Sequence, residues 1–112
     1  FIYEKIVWFE GDLFLCYNAR GWVLINSKSN NVFGETFQTL ISLKNGIATF
    51  QNQNEYIFVN GYLDIINRVK YTNEDVEFNG AGFAVVQFED GRKGLLKMNG
   101  EWFAEPAIIQ TN

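Results

Sequence analysis

Histidine is absent from the 112 residues, and cysteine, proline and methionine each occur once. Without histidine, the imidazole base of Ser-His-Asp and Cys-His catalysis has no representative in the chain. One cysteine and no histidine leave no ligand cluster for zinc. Cys16 cannot close an internal disulfide, so nothing demands an oxidising compartment. Within LFLCY it reads as a small core residue rather than a reactive thiol. Neither GxxxxGK[ST] nor GxGxxG occurs, and no apolar run approaches the roughly eighteen residues of a membrane helix. There is no signal-peptide pattern. The chain opens FIYEKIV, without Met and directly into an apolar segment, as expected of a processed chain or a piece of a longer one. The compartment stays open, with a soluble cytoplasmic setting slightly favoured.

What is present is a large apolar and aromatic share, 47% and 17% of the residues. That excludes a disordered chain, and the length suits one domain with a real core. Eleven Phe, with frequent Val and Ile, bias the chain towards strands. A net charge of −4 speaks against general binding to nucleic acid or to an anionic membrane. It fits a mildly acidic, solvated surface.

Turn signals punctuate the chain regularly. Asn-Gly recurs at Asn45-Gly46, Asn60-Gly61, Asn79-Gly80 and Asn99-Gly100, and Asp90-Gly91 joins them. These dipeptides tolerate the positive φ of a two-residue hairpin turn. Between them lie strand-length runs: WVLI, IATF, YIFV, GFAVVQF and GLLKM. Pro106, near the end, suits an edge or a connection. The runs align at a period of about 35, the signature of a repeat architecture. GDLFLCYNARGWVLIN (11–26) matches NGIATFQNQNEYIFVNG (45–61), which matches GAGFAVVQFEDGRKGLLKMNG (80–100). The units run approximately 11–44, 45–79 and 80–112, with 1–10 as the tail of a preceding unit. A single hairpin cannot bury its apolar face, so neighbouring units must cover one another. Trp8, Trp22, Trp102 and the Phe set are the candidates to fill the seams. The competing reading is α+β with one short helix near 35–44. There, Phe37, Leu40, Ile41 and Lys44 follow helical spacing, as YLDIINRV (62–69) does less clearly.

The third unit, GFAVVQFEDGRKGLLKMNGEWFAEPAII (82–109), resembles a WG repeat. Gly91, Lys93 or Arg92, Gly94, Leu96 and Gly100 fall on that pattern's marked positions, followed by Pro106 and Ile109. In the first unit Arg20-Gly21 falls on the Trp-Gly position and Tyr3 to Ile6 on the tail. The copies are degenerate: Lys93 and Arg20 stand where Trp precedes Gly, and the middle unit lacks the Gly. The resemblance implies an all-β array of tandem β-hairpins, stacked and open rather than closed. Such arrays occur mostly in bacterial proteins and generally have no assigned enzymatic role.

Carboxylates are the one enzymatic resource left. Asn73-Glu74-Asp75 with Glu77 superficially resembles the start of a calcium loop, but the loop's Gly and its distant bidentate Glu are missing. The reading is therefore a solvated turn. Glu101 and Glu105 would need burial to form a glycosidase pair, and the alternation of EWFAE points them to solvent. No catalytic residue, cofactor or metal site is expected. The candidate partner-binding residues are Trp102, Arg92, Lys93 and Trp22, the first three expected to form a cation–aromatic patch suited to an acidic partner segment. The expected function is a non-catalytic protein-interaction or scaffold module, part of a longer array. The alternative is a glycan- or cell-envelope-binding module using exposed aromatics.

Overall fold

The computed structural model describes residues 3–28, 30–72 and 76–107. Ten strands run through them. They are β1 (Lys5–Glu10), β2 (Leu13–Asn18), β3 (Gly21–Asn26), β4 (Thr39–Lys44), β5 (Ile47–Asn52), β6 (Glu55–Asn60), β7 (Ile65–Lys70), β8 (Phe83–Gln87), β9 (Lys93–Lys97) and β10 (Trp102–Ala107). They form three antiparallel meanders, β1-β2-β3, β4-β5-β6-β7 and β8-β9-β10. The Cα positions extend over 57 × 25 × 24 Å, an elongated open array rather than a closed barrel.

The three sheets are copies of one plan. Lys5 to Thr39, Leu13 to Ile47 and Gly21 to Glu55 are each a step of 34 residues between the starts of corresponding strands. After β3 the chain makes a broken fourth strand, bridging Ile25 to Asn31 and Trp22 to Phe37. The same step carries the first of these bridges onto the pairing of Val59 with Ile65 between β6 and β7. Before β8, Thr72 N donates to Gln87 O at 2.7 Å and Asn79 N to Phe83 O at 2.8 Å, so Thr72 and Asn79 lie at the two ends of β8. Segment 1–10 supplies β1, which pairs with β2 in the same way. The closing strand of each unit is thus the edge strand of the next sheet.

The helical reading of 35–44 is overturned, since no helix occurs among the described residues. β4 pairs with β5 around Asn45-Gly46, whose φ values of 53° and 73° build a two-residue hairpin turn. The spacing misled because Leu40 and Ile41 serve opposite faces. Leu40 packs into the first core and Ile41 into the second. A helix would bring two such neighbours to one side, whereas a strand separates them. The segment 62–69 likewise ends in β7.

Other turns also differ from expectation. Asn60-Gly61, Asn79-Gly80, Asp90-Gly91 and Asn99-Gly100 do not form two-residue turns. Each belongs to a longer turn whose positive-φ residue comes last, at Leu63, Gly82, Gly91 and Gly100. At Asn60 and Asn79 the side-chain Oδ1 accepts two backbone N–H groups of the turn, from Tyr62 and Asp64 and from Ala81 and Phe83. Asparagine is there as an acceptor, not as a left-handed residue.

Apolar residues lie on both faces of the sheets, and two joints cover the faces that meet within the stack. In the first, Leu13, Leu15, Trp22, Leu24 and Phe37 meet Ala48, Phe50, Ile57 and Val59, with Phe37 stacked on Phe50 at 4.1 Å. In the second, Tyr56, Phe58, Val69 and Tyr71 meet Val76, Ala84, Val86 and Leu96. Polar ties span both joints. Arg68 on β7 donates to Glu55 on β6 at 2.9 Å and to Glu35, beside the first sheet, at 2.8 Å. Thr49 Oγ1 donates to Met98 O at 2.8 Å, and Asn67 Nδ2 to Gly100 O at 2.9 Å. Pro106 lies on β10, an edge strand, where its missing N–H costs no ladder bond.

Two measurements test this packing. Gly21 has φ +128°, and a Cβ there would stand 2.3 Å from the Phe37 carbonyl oxygen. Gly21→Ala is expected to destabilise by at least about 3 kcal/mol. Gly91, with φ +90° and open space around it, should lose only about 1–2 kcal/mol on the same change. Equal urea midpoints for the two variants would refute the close approach. The second test concerns acid. Hydrogen bonding from Arg68 holds the Glu35 carboxyl below the ordinary glutamate value, opposed in part by burial. A depressed carboxylate stabilises the fold above its unfolded pKa and loses that contribution as the pH falls through its folded pKa. The pair is over a third exposed, so solvent screens it and the effect stays below about 1 kcal/mol. Stability should drop below about pH 4.3, and Glu35→Gln should flatten that part of the curve in chemical denaturation.

Candidate functional site

The structure separates the four residues expected to bind a partner. Trp22 is 9% exposed in the first core, 5.2 Å from the Tyr17 ring. Its backbone is tied to Phe37 by two hydrogen bonds, so it fills a seam, as its place among the seam candidates implies, and is not available to a partner. Trp102 pairs with Leu96, and its half-buried ring lies over Gly94, where a Cβ would come within 2.9 Å of it. Lys93 pairs with Gln87 and Ala107 and shares their face of β9, opposite the face of Leu96 and Trp102. A Lys93–Trp102 patch is therefore not formed. Arg92 stacks on Phe88 at 5.2 Å, and Phe88 lies 6.2 Å from Trp102. Asp90 takes the Arg92 guanidinium at 2.7 Å and accepts its backbone N–H. That backbone N–H, and next the guanidinium, hold the exposed Asp90 carboxyl below its usual range. The neighbouring cleft of about 390 Å³ mixes Lys70 and Arg92 with Glu89 and Asp90, so it carries little net charge.

A larger feature lies where the hairpin turns of the first two sheets meet. Glu10, Gly11 and Asp12 from the β1–β2 turn, Asn45 and Gly46 from the β4–β5 turn, and Asn60 to Tyr62 from the β6–β7 turn line a cleft of about 560 Å³. Its construction needs glycine at 61, and Gly46 beside it leaves an ordinary contact. A Cβ on Gly61 would stand 2.7 Å from Glu10 Cγ, and one on Gly46 would stand 3.5 Å from Glu10 Oε1. The missing side chains leave room for Glu10 to lie across both turns. A second cleft of about 290 Å³ shares Glu10, Asn45 and Gly46 and adds Trp8 and Lys44. A third, about 320 Å³, shares Asn45 and continues to Asn79, Gly82 and Asn99 at the turns of the third sheet. The three together make a polar, turn-lined furrow along one edge of the stack.

Two aromatics stand exposed along this furrow, Trp8 at 60% and Tyr62 at 88%. Trp8 Nε1 donates to Gly11 O at 2.9 Å, which fixes the indole against the first turn. Trp8 pairs with Phe14 on the outer face of the first sheet, and alternation turns the next residue, Phe9, into the first core on the other face. The sequence reading places Trp8 among the seam residues and does not single out Tyr62. Which face of β1 is covered is decided by the neighbouring sheet, which local alternation does not show. The furrow's charged groups are Glu10, Asp12 and Lys44, an acidic excess matching that of the whole chain.

The other candidates carry no site. Positions 73–75 of the acidic run lie outside the described residues. Glu101 pairs with Lys97 at 3.6 Å and is largely exposed. No group of three His, Cys, Asp or Glu side chains converges among the described residues. Cys16 is buried, and burial pushes its thiol pKa up, which favours the unreactive protonated form.

The exposures predict the fluorescence. Acrylamide should quench native emission mainly through Trp8, so Trp8→Phe should lower the quenching constant by roughly half or more, whereas Trp22→Phe should raise it. A native quenching constant insensitive to Trp8→Phe would contradict the exposed position of Trp8. Comparison of the chain with family models, with curated proteins and with solved structures returns no match, so function is argued from the geometry above.

Proposed function

We propose that this protein is a non-catalytic interaction module that holds a protein segment along the turn-lined furrow. One observation carries the reading: Trp8 and Tyr62 are strongly exposed at clefts that share Glu10, with Asp12 close by. Exposed aromatics stacked beside hydrogen-bonding turns give large contact area at low entropic cost. The acidic excess selects an extended segment bearing Lys or Arg over an acidic one. This moves the binding surface away from Arg92 and Lys93 and reverses the preferred charge of the partner. The WG-type resemblance supports the scaffold role, since such arrays present repeated edges. A glycan is the second reading, favoured by the bare Tyr62 ring beside the Asn60 turn, which offers a stacking platform with a polar rim.

The two are separated by titration of the 112-residue chain, read by Trp8 emission. Short extended peptides with several Lys or Arg residues should shift it, and acidic peptides of equal length should not. Tyr62→Ala, and separately Glu10→Gln with Asp12→Asn, should each weaken peptide binding about tenfold with the fold intact by circular dichroism. A response to neutral oligosaccharides, abolished by Tyr62→Ala and unmoved by the carboxylate changes, would transfer the furrow to glycans. Indifference to both ligand classes at millimolar concentration would remove the furrow as a binding site.

A further inference from the structure

Four Asn-Gly pairs lie at the turns, and the fold treats one of them differently from the rest. At Asn60 the side-chain Oδ1 accepts the backbone N–H groups of Tyr62 and Asp64, at 2.9 and 3.0 Å. At Asn79 it accepts those of Ala81 and Phe83, at 2.9 and 3.1 Å. Asn99 Oδ1 accepts the Glu101 N–H at 3.0 Å, and the N–H of Gly100 donates to Lys97 O at 3.1 Å. Each of these three pairs is therefore held by two hydrogen bonds on its side-chain amide or its glycine nitrogen. Asn45-Gly46 has neither kind. Its two-residue turn is closed by the pairing of Lys44 with Ile47, which uses neither the Asn45 side chain nor the Gly46 N–H. No hydrogen bond of either group occurs among the described residues, and Asn45 is exposed.

These two free groups are the reactants of a self-modification. The Gly46 nitrogen gives its proton to water and attacks Asn45 Cγ, closing a five-membered imide. The bond from Cγ to the side-chain nitrogen breaks, and that nitrogen takes up a proton and leaves as ammonia. Water then opens the imide at one of its two carbonyls. One opening gives aspartate, and the other gives isoaspartate, in which the main chain runs through Cγ. Glycine admits the attack because no Cβ crowds the approach to its nitrogen. Bringing Cγ onto that nitrogen breaks a hydrogen bond of a reacting group at three of the pairs and none at Asn45.

We propose that Asn45 is a modification site of the folded chain, deamidating to aspartate or isoaspartate ahead of the other three Asn-Gly pairs. Its position gives the change a consequence. Asn45 lines all three clefts of the furrow, so each product sets a new carboxylate in a cleft that already holds Glu10 and Asp12. Aspartate tolerates the left-handed conformation of Asn45, φ 53°, and keeps the turn. Isoaspartate adds one backbone atom to a turn of two residues. The order of reaction is set by the turns alone and does not rest on what the furrow binds.

Peptide mapping by mass spectrometry tests it on the 112-residue chain, incubated in warm, mildly alkaline buffer and sampled over days. Each site is followed by the mass gain of an amide replaced by an acid. In the folded chain Asn45 should convert about tenfold faster than Asn60, Asn79 or Asn99, the factor expected when two modest hydrogen bonds must open first. In concentrated urea, where no turn is held, the four rates should come together, because the dipeptide is the same in each. In Asn45→Asp the fast phase should be absent and the three slow rates unchanged. Equal rates in the folded chain, a different site leading, an order that persists in urea, or a fast phase that survives in Asn45→Asp would each overturn the proposal.

Discussion

A meander of six-residue strands that is apolar on both faces cannot cover either of them by itself. In this chain the strands of the central sheet carry Phe50, Ile57 and Val59 on one side and Tyr56 and Phe58 on the other, all buried. The central sheet is covered by a neighbour on each side. Stacking therefore does what a helix layer or a closed barrel does in other small domains, and it makes the fold a series of joints rather than one core. Two contiguous clusters with separate memberships, one at each joint, are the direct sign of this.

The joints also govern what the turns look like. Sheets that stack closely bring the turns of one against the side chains of the next, and glycine is used where they touch. Gly100 lets the Phe58 ring lie within 2.8 Å of where its Cβ would be, and Gly61 does the same for Glu10. The furrow is a by-product of this arrangement. Repeated hairpins end at the same edge, their turns align, and the spaces between aligned turns are lined by amides and backbone groups. Polar ties across the joints, Arg68 to Glu35 and Thr49 to Met98, are few but specific. They hold the register between sheets that apolar contact alone would leave free to slide.

This dependence on joints explains what could be read from the sequence. The repeat, its period and the all-β class were legible, because Asn-Gly and the alternating runs are local signals. The Asn45-Gly46 hairpin follows from its dipeptide alone. The helical spacing at Phe37, Leu40 and Ile41 misled because a strand buried on both faces has no alternation to show, and the face each residue serves is decided by the neighbouring sheet. The same ignorance of neighbours let Trp8 and Trp22 both be read as seam residues, and only Trp22 is one. Both are tryptophans on strands of the first sheet, and what separates them is the face: Trp22 turns to the second sheet, whereas Trp8 pairs with Phe14 on the other side. Asn60 and Asn79 were recognised as turn residues for the wrong reason, since composition does not tell a left-handed asparagine from one that accepts hydrogen bonds.

The surfaces left over divide by geometry into two kinds. Along the edge, exposed aromatics sit in polar clefts whose turns are held by their own hydrogen bonds, as at Asn60 and Trp8. A guest there adds to groups already in place and disturbs no core. At the two ends, exposed apolar side chains occupy positions that elsewhere in the same molecule are covered. Thr49 and Val85 illustrate the difference: in equivalent pairs, the buried position holds a hydroxyl satisfied across the joint, and the exposed one holds a bare aliphatic group. Selection for solubility alone would favour the opposite assignment, a polar residue outside and an aliphatic one within.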